Sequence, residues 1–186
     1  MIYIITGPSG VGKNTIINEL SNHINIHFSI SHTTRSKRDG EIDGKDYFFV
    51  TEDEFNSLIN KNFFIEYEQY GDYYYGTGKD QIKNKKEVIL LDLEVNGATK
   101  LLKEYPHFIG IFIDIDNQTL RERLKSRGHN DEFIQERMKL ANLQREKKHL
   151  YNFNIQNVDL NTSVKEIIDI IYDLEERWLN HLLKSF

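Results

Sequence analysis

No cysteine occurs among the 186 residues. Disulfides, thiol nucleophiles and thiolate metal sites are therefore excluded, and the composition suits a reducing cytoplasm, the expected location. Positive charge is in deficit: 24 Lys and Arg stand against 29 Asp and Glu, a formal net charge of -5. An acidic field gains nothing from a phosphate backbone or an anionic membrane surface, so neither nucleic acid nor membrane is an expected partner and any basic site must be local. Long apolar runs are missing too. Met1-Ile-Tyr-Ile-Ile-Thr6 has no basic n-region and is too short for a signal or a membrane span; it reads as a buried strand. Repeats, low-complexity tracts and long linkers are also absent. What is left, with 39% apolar residues, is a soluble globular chain with one core of ordinary size and room for small insertions.

Apolar, β-branched runs alternate with helical spacings. Ile2 to Thr6 reads as a strand that stops at a glycine-rich turn, and Lys13 to His23 places Ile16, Ile17 and Leu20 on one helical face. Val88 to Asp92 and Phe108 to Ile113 read as further buried strands, with a helix from Val95 to Tyr105 between them. This order predicts an α/β fold with a parallel sheet flanked by helices. Residues 32–84 differ in texture, with charged turns, short aromatic strands and a helix opening at Thr51, where Thr51 and Glu54 have capping-box spacing. They are expected to form an inserted α+β unit. Beyond it, a helix is predicted from Asn117 to Arg127, with Gly128 at its C′ position, and a second from Asn130 to about Leu150. Both are polar and are expected to cover the core rather than form it. Val164, Ile167, Ile168, Ile171, Leu174, Trp178, Leu179 and Leu182 predict an amphipathic helix docked on the sheet.

The turn after the first strand is Gly7-Pro8-Ser9-Gly10-Val11-Gly12-Lys13-Asn14-Thr15. Strand, glycine-rich loop, lysine and helix make a phosphate-binding P-loop: glycines let successive backbone N–H groups face phosphate oxygens, and the helix N-terminus adds partial positive charge. Lys13 brings a full charge to the β/γ bridge. The motif then asks for Ser or Thr as a magnesium ligand, and this chain has Asn14. Its amide oxygen suits a metal or a metal-bound water; Thr15 cannot step in, since one residue further along a helix is a rotation of about 100°. Asp92, at the end of a buried strand, has the placement of an acid that orients magnesium through water, or of a cap on the following turn.

A second constellation starts at Ser29. The pattern S-x-S-x-T-T-R-x-x-R-x-G-E-x-x-G-x-x-Y-x-F-V is met at each fixed position from Ser29 to Val50, and Phe64-Ile65-Glu66 and Tyr74-Tyr75-Gly76-Thr77 follow. Here the chain resembles the guanylate kinase family, from the P-loop almost to the C-terminus. The resemblance implies a P-loop core (residues 1–31, 85–116 and 151–186), a GMP-binding insertion (32–84) and a helical lid (117–150). It implies the reaction ATP + GMP = ADP + GDP in purine metabolism, with Mg2+ accompanying ATP, and leaves open both the use of dGMP and the oligomeric state. Arg35 and Arg38, with Tyr47 and Tyr75, then hold the GMP phosphate, a task that suits planar guanidinium groups. Ser31, Glu41, Gly76, Thr77 and Glu94 belong to the same acceptor set. Glu66 reads guanine, since a carboxylate accepts from the N1–H and 2-amino donors that the corresponding edge of adenine lacks. Arg127 and Arg137 close on the ATP phosphates from the lid, unless they are spent on surface pairs with Glu122, Asp131 or Glu136. Asn157 matches an Asn that borders adenine. Tyr73 and Tyr74 are expected to pack, and His32 to be structural. Two competing readings, a kinase for phosphorylated ribose and a non-catalytic interaction module, fit less well: the first lacks use for the acceptor set, the second for Lys13, Asp92, Arg127 and Arg137.

Overall fold

The computed structural model describes residues 1–83 and 88–184, apart from the Leu182 side chain. The expected boundary between residues 84 and 85 thus lies outside the described residues, as does the expected core role of Leu182. From the N-terminus, β1 (Ile2–Thr6) leads into α1 (Lys13–His23) and β2 (Ile26–Phe28). Next come β3 (His32–Thr33), β4 (Phe48–Phe49), α2 (Glu52–Asn60), β5 (Phe64–Tyr70) and β6 (Tyr73–Gly78). The chain continues through β7 (Val88–Asp92), α3 (Val95–Glu104), β8 (Ile109–Asp114), α4 (Asn117–Ser126), α5 (Asp131–Arg145), β9 (Phe153–Gln156) and α6 (Leu160–Lys184). Among the described residues no helix is long and apolar enough to cross a membrane.

Five strands pair in the order β2-β7-β1-β8-β9, every pairing parallel. Parallel strands need crossover helices on both faces, and the buried β-branched runs of β1, β7 and β8 are what such a double-sided sheet requires. Their residues divide between two apolar clusters. Tyr3, Ile5, Leu90, Ile111 and Ile113 pack with α1 and α6, whereas Ile4, Ile89, Leu91 and Phe112 pack with α3. A second sheet, β4-β3-β6-β5, is built from the aromatic stretch; β3 and β4 are parallel, the other pairs antiparallel. α2 opens with the expected capping box: Glu54 N donates to Thr51 Oγ1 (3.2 Å) and Thr51 N to Glu54 Oε2 (2.8 Å).

Several expectations need correction. α4 and α5 form part of the core: Leu120, Leu124, Ile134, Met138 and Ala141 are buried in the cluster of Ile16 and Ile113. A narrow stripe at spacings of three and four suffices for this, and average polarity conceals it. α5 stops at Arg145, not near Leu150, because Arg145 is locked onto the end of β8, donating to Asp114 Oδ1 (2.9 Å) and the Ile115 carbonyl (2.6 Å). The chain then turns through a 3-10 turn at Lys148–Leu150 toward β9. α6 docks only as far as Leu174; Trp178 and Leu179 are 48% and 53% exposed, having run past the sheet. Tyr73 is also exposed rather than packed, while Tyr74 meets Phe55 at 5.5 Å.

Candidate active site

The carboxyl ends of β1 and β7 open onto a cavity of about 390 Å³ that also reaches the inserted sheet. Open parallel sheets place their ligand crevices at such strand ends. On the P-loop side it is lined by Ser9, Gly10, Gly12, Lys13, Asn14 and Thr15, and on the far side by Ser31, Arg35, Arg38, Glu41, Tyr47, Glu66 and Tyr75. Asp92, Glu94 and Arg127, also expected, line it as well, and Glu68, Tyr70 and Leu93 join them.

The P-loop is held in shape by long-range bonds. Val11 is fully buried, and its carbonyl accepts from Arg123 Nη1 (2.9 Å) and Asn157 Nδ2 (2.7 Å). Arg123 Nη2 reaches on to the Asn157 carbonyl at 3.0 Å. Gly12 has φ +101, and a Cβ there would lie 2.5 Å from Asn157 Nδ2, so both conformation and space require glycine. Lys13 Nζ donates to the Gly7 carbonyl at 2.7 Å, folded back over its own loop. Asn157 is thus buried behind the loop and does not line the cavity; nor do Gly7, Pro8 and Val11.

On the far side Arg35 and Glu41 form a bidentate pair: Nη2 to Oε1 2.7 Å, Nη1 to Oε2 3.1 Å. Glu41 Oε2 also accepts from the Arg38 backbone N–H at 2.8 Å, so this carboxylate fixes the spacing of both arginines. These bonds hold Glu41 below the usual carboxylate range. Arg35 lies 5.5 Å over the Tyr47 ring, and the Tyr47 hydroxyl is pushed up to about 12 by burial and by the charge of Asp92. Glu66, 9% exposed, accepts from Thr77 N at 3.1 Å, and the Thr77 hydroxyl meets Ser31 Oγ at 3.1 Å. Burial pushes the Glu66 carboxyl up to about 7, against the hydrogen bonding of Thr77. Gly97 permits the approach of α3, since a Cβ there would lie 2.8 Å from Glu66 Oε2. Thr77 and Gly76 themselves stand behind the lining. His32 is structural, packed among Phe48, Phe63 and Phe64.

Burial raises the carboxyls of Asp92 and Glu94; Lys13 counters it at both, and Arg137 adds to that at Glu94. Arg127 faces the cavity; Arg137 stands just outside, donating through Nη1 to the Tyr70 hydroxyl. Among the described residues neither arginine forms a surface ion pair. One cavity therefore carries the glycine-rich loop and Lys13 at one wall and Arg35, Arg38 and the Glu66 carboxylate at the other.

The family model described as guanylate kinase matches residues 1–174. The chain belongs to the guanylate kinase family. It is 38% identical over 176 residues to the guanylate kinase of Prochlorococcus marinus subsp. pastoris, covering 91% of this chain and 96% of that relative. With the guanylate kinase of Onion yellows phytoplasma it shares 41% over 181 residues, or 92% and 84% of the two chains. The crystal structure of guanylate kinase from Anaplasma phagocytophilum superposes with a TM-score of 0.78 at 29% identity, covering 93% of this chain and 85% of that one. Within this guanylate kinase, Glu68, Tyr70 and Arg123 had drawn no assignment from motif spacing. Period-two alternation from Glu66 points to the first two, whereas the partners of Arg123 are more than thirty residues away in the chain.

Proposed function

We propose that this guanylate kinase moves the γ-phosphoryl group of ATP directly to the phosphate of GMP, with no covalent enzyme intermediate. The observation that carries this is the single cavity lined by Lys13 and the P-loop on one side and by Arg35, Arg38 and Glu66 on the other. Two polyanions that must meet in line repel each other, and the barrier falls when fixed cations screen them and hold them aligned. Lys13 and the loop N–H groups take the ATP phosphates; Arg35, Arg38, Tyr47 and Tyr75 take the GMP phosphate, with Glu41 as their brace. Glu66 accepts from guanine N1–H and the 2-amino group, the Thr77 backbone N–H fixes the carboxylate's orientation, and the Ser31 and Thr77 hydroxyls contact the base. In this reading residues 1–31, 85–116 and 151–186 are the core, 32–84 the acceptor unit and 117–150 a lid that brings Arg127 and Arg137 to the transferring group and excludes water.

The residues present suit Mg2+. Asn14 and Asp92 offer hard oxygen donors on the cavity wall, and half-buried Asp92 has only the Lys13 charge to counter its desolvation. No cluster of three acidic or histidine side chains exists among the described residues, which fits an ion that arrives with the nucleotide and keeps its waters. When bound it neutralises phosphate charge, with Asn14 and Asp92 acting through water.

Phosphorus NMR tests the route. With ATP and GMP the products are ADP and GDP in equal amounts; inorganic phosphate in place of GDP refutes transfer to GMP.

A further inference from the structure

β5 presents one face to several parts of the molecule at once. Its side chains alternate: Tyr67 and Gln69 point to solvent, whereas Glu66, Glu68 and Tyr70 all line the cavity. Glu68 Oε2 accepts from the Gly97 backbone N–H at 2.9 Å and its Oε1 from Asn96 Nδ2 at 2.8 Å. α3 has no side-chain cap of its own, so a carboxylate from the inserted sheet satisfies its first turn. The same Asn96 accepts through Oδ1 from Lys147, just beyond the end of α5.

Two residues further along β5, the Tyr70 hydroxyl accepts from Arg137 Nη1. The Arg137 guanidinium carbon lies 5.5 Å from the Tyr70 ring and 4.7 Å from the Phe133 ring. Its Nε is buried with no hydrogen-bond partner, a donor left over for a phosphate oxygen. Arg137 is thus parked between two rings at the edge of the cavity.

We infer that Tyr70 is a positioning residue for Arg137, and that β5 thereby couples occupancy of the acceptor pocket at Glu66 to the placement of the lid arginine. A strand paired along its length moves as a unit, so an acceptor that shifts Glu66 carries Tyr70 and Arg137 with it. Glu68, Asn96 and Lys147 form a second bridge from the same strand to the segment after α5. The inference rests on the proposed roles of Glu66 and Arg137. Because binding linkage is reciprocal, GMP and the ATP-side ligand must strengthen one another by the same factor.

The test is calorimetric titration of the full chain with GMP, with and without a saturating non-hydrolysable ATP analogue and Mg2+. The readout is the ratio of the two GMP Kd values within each variant, which cancels any general loss of affinity. The wild type is expected to show a ratio of about fivefold or more, within the usual range for coupled ligands. Tyr70→Phe keeps the ring and removes the acceptor, and its ratio falls to about twofold or less. GMP binding with a wild-type ratio near one, or with a full ratio retained in Tyr70→Phe, overturns the coupling and leaves the acceptor reading standing. Absence of GMP binding by the wild type overturns both. Should circular dichroism show Tyr70→Phe unfolded, Arg137→Ala takes its place, since it removes the group that Tyr70 positions: a ratio of about twofold or less supports the coupling through β5, and a full ratio overturns it.

Discussion

Glu66 carries an opposition between stability and recognition that can be measured. Its carboxyl is raised from the ordinary 4.5 to about 7, with burial the main cause and Glu68 adding repulsion, while Thr77 and Lys100 pull it down. The pH dependence of folding follows from that sign. Below about pH 4.5 the group is protonated in both folded and unfolded chains and costs nothing. Between 4.5 and 7 the unfolded chain ionises first and stability is lost; above 7 the loss is constant, at about 3 kcal/mol. Glu66→Gln removes the titration and keeps an acceptor for Thr77 N–H. In urea unfolding, the stability of Glu66→Gln relative to wild type should therefore grow by about 2–3 kcal/mol from pH 5 to pH 8. GMP binding should move oppositely, because guanine needs the ionised carboxylate: wild-type affinity should fall about tenfold per unit below pH 7. The GMP phosphate itself gains a proton near pH 6, and the Glu66→Gln profile isolates that contribution. At pH 8 the substitution should weaken GMP far more than ATP. A stability difference that does not vary with pH, or equal losses of both nucleotides, would falsify the assignment of Glu66 as a buried base reader.

Asn14→Ser is expected to change kcat by less than about tenfold at saturating Mg2+; a gain of a hundredfold or more in steady-state kinetics would mean that the native metal shell is impaired. Arg123→Ala leaves the Val11 carbonyl with one donor fewer and should cost about 1–3 kcal/mol in thermal unfolding together with a higher Kd for ATP, while GMP affinity holds; an unchanged Kd for ATP contradicts the bracing role. Gly12→Ala forces a left-handed residue against Asn157 and should lose ATP binding in a fluorescent-nucleotide titration. Arg35→Ala should raise the KM for GMP by about tenfold or more, with the KM for ATP nearly constant, and a parallel rise in both would argue for a structural role.

The central strands β1, β7 and β8 were legible in the sequence because each is a short, continuous apolar run and the helices between them keep their own spacing, whereas β2 (Ile26–Phe28) and β9 (Phe153–Gln156) interleave polar residues and were not anticipated. The P-loop was legible for a related reason: its glycines, Lys13 and the helix start are contiguous in the chain. The cavity residues from Ser31 to Tyr47 came as one contiguous pattern. What spacing could not convey was side-chain reach across the fold. Asn157 and Arg123 support Val11 from 146 and 112 residues away, and only the folded chain brings them behind the loop. The arrest of α5 at Arg145 likewise depends on Asp114 and not on a helix breaker. Burial of Leu120, Leu124 and Met138 was hidden by the charged residues around them, whose stripe is apolar although the helices are polar on average.

Above all, the cavity is held to pair ATP with a guanine monophosphate in particular. The decisive measurement is coupled ADP release with ATP, Mg2+ and a panel of GMP, dGMP, AMP, UMP, CMP and ribose phosphates. The expected result is turnover with GMP, no appreciable turnover with AMP, UMP, CMP or the ribose phosphates, and a rate for dGMP that shows whether the 2′-hydroxyl is read. Comparable turnover with AMP, or none with any acceptor, would contradict it.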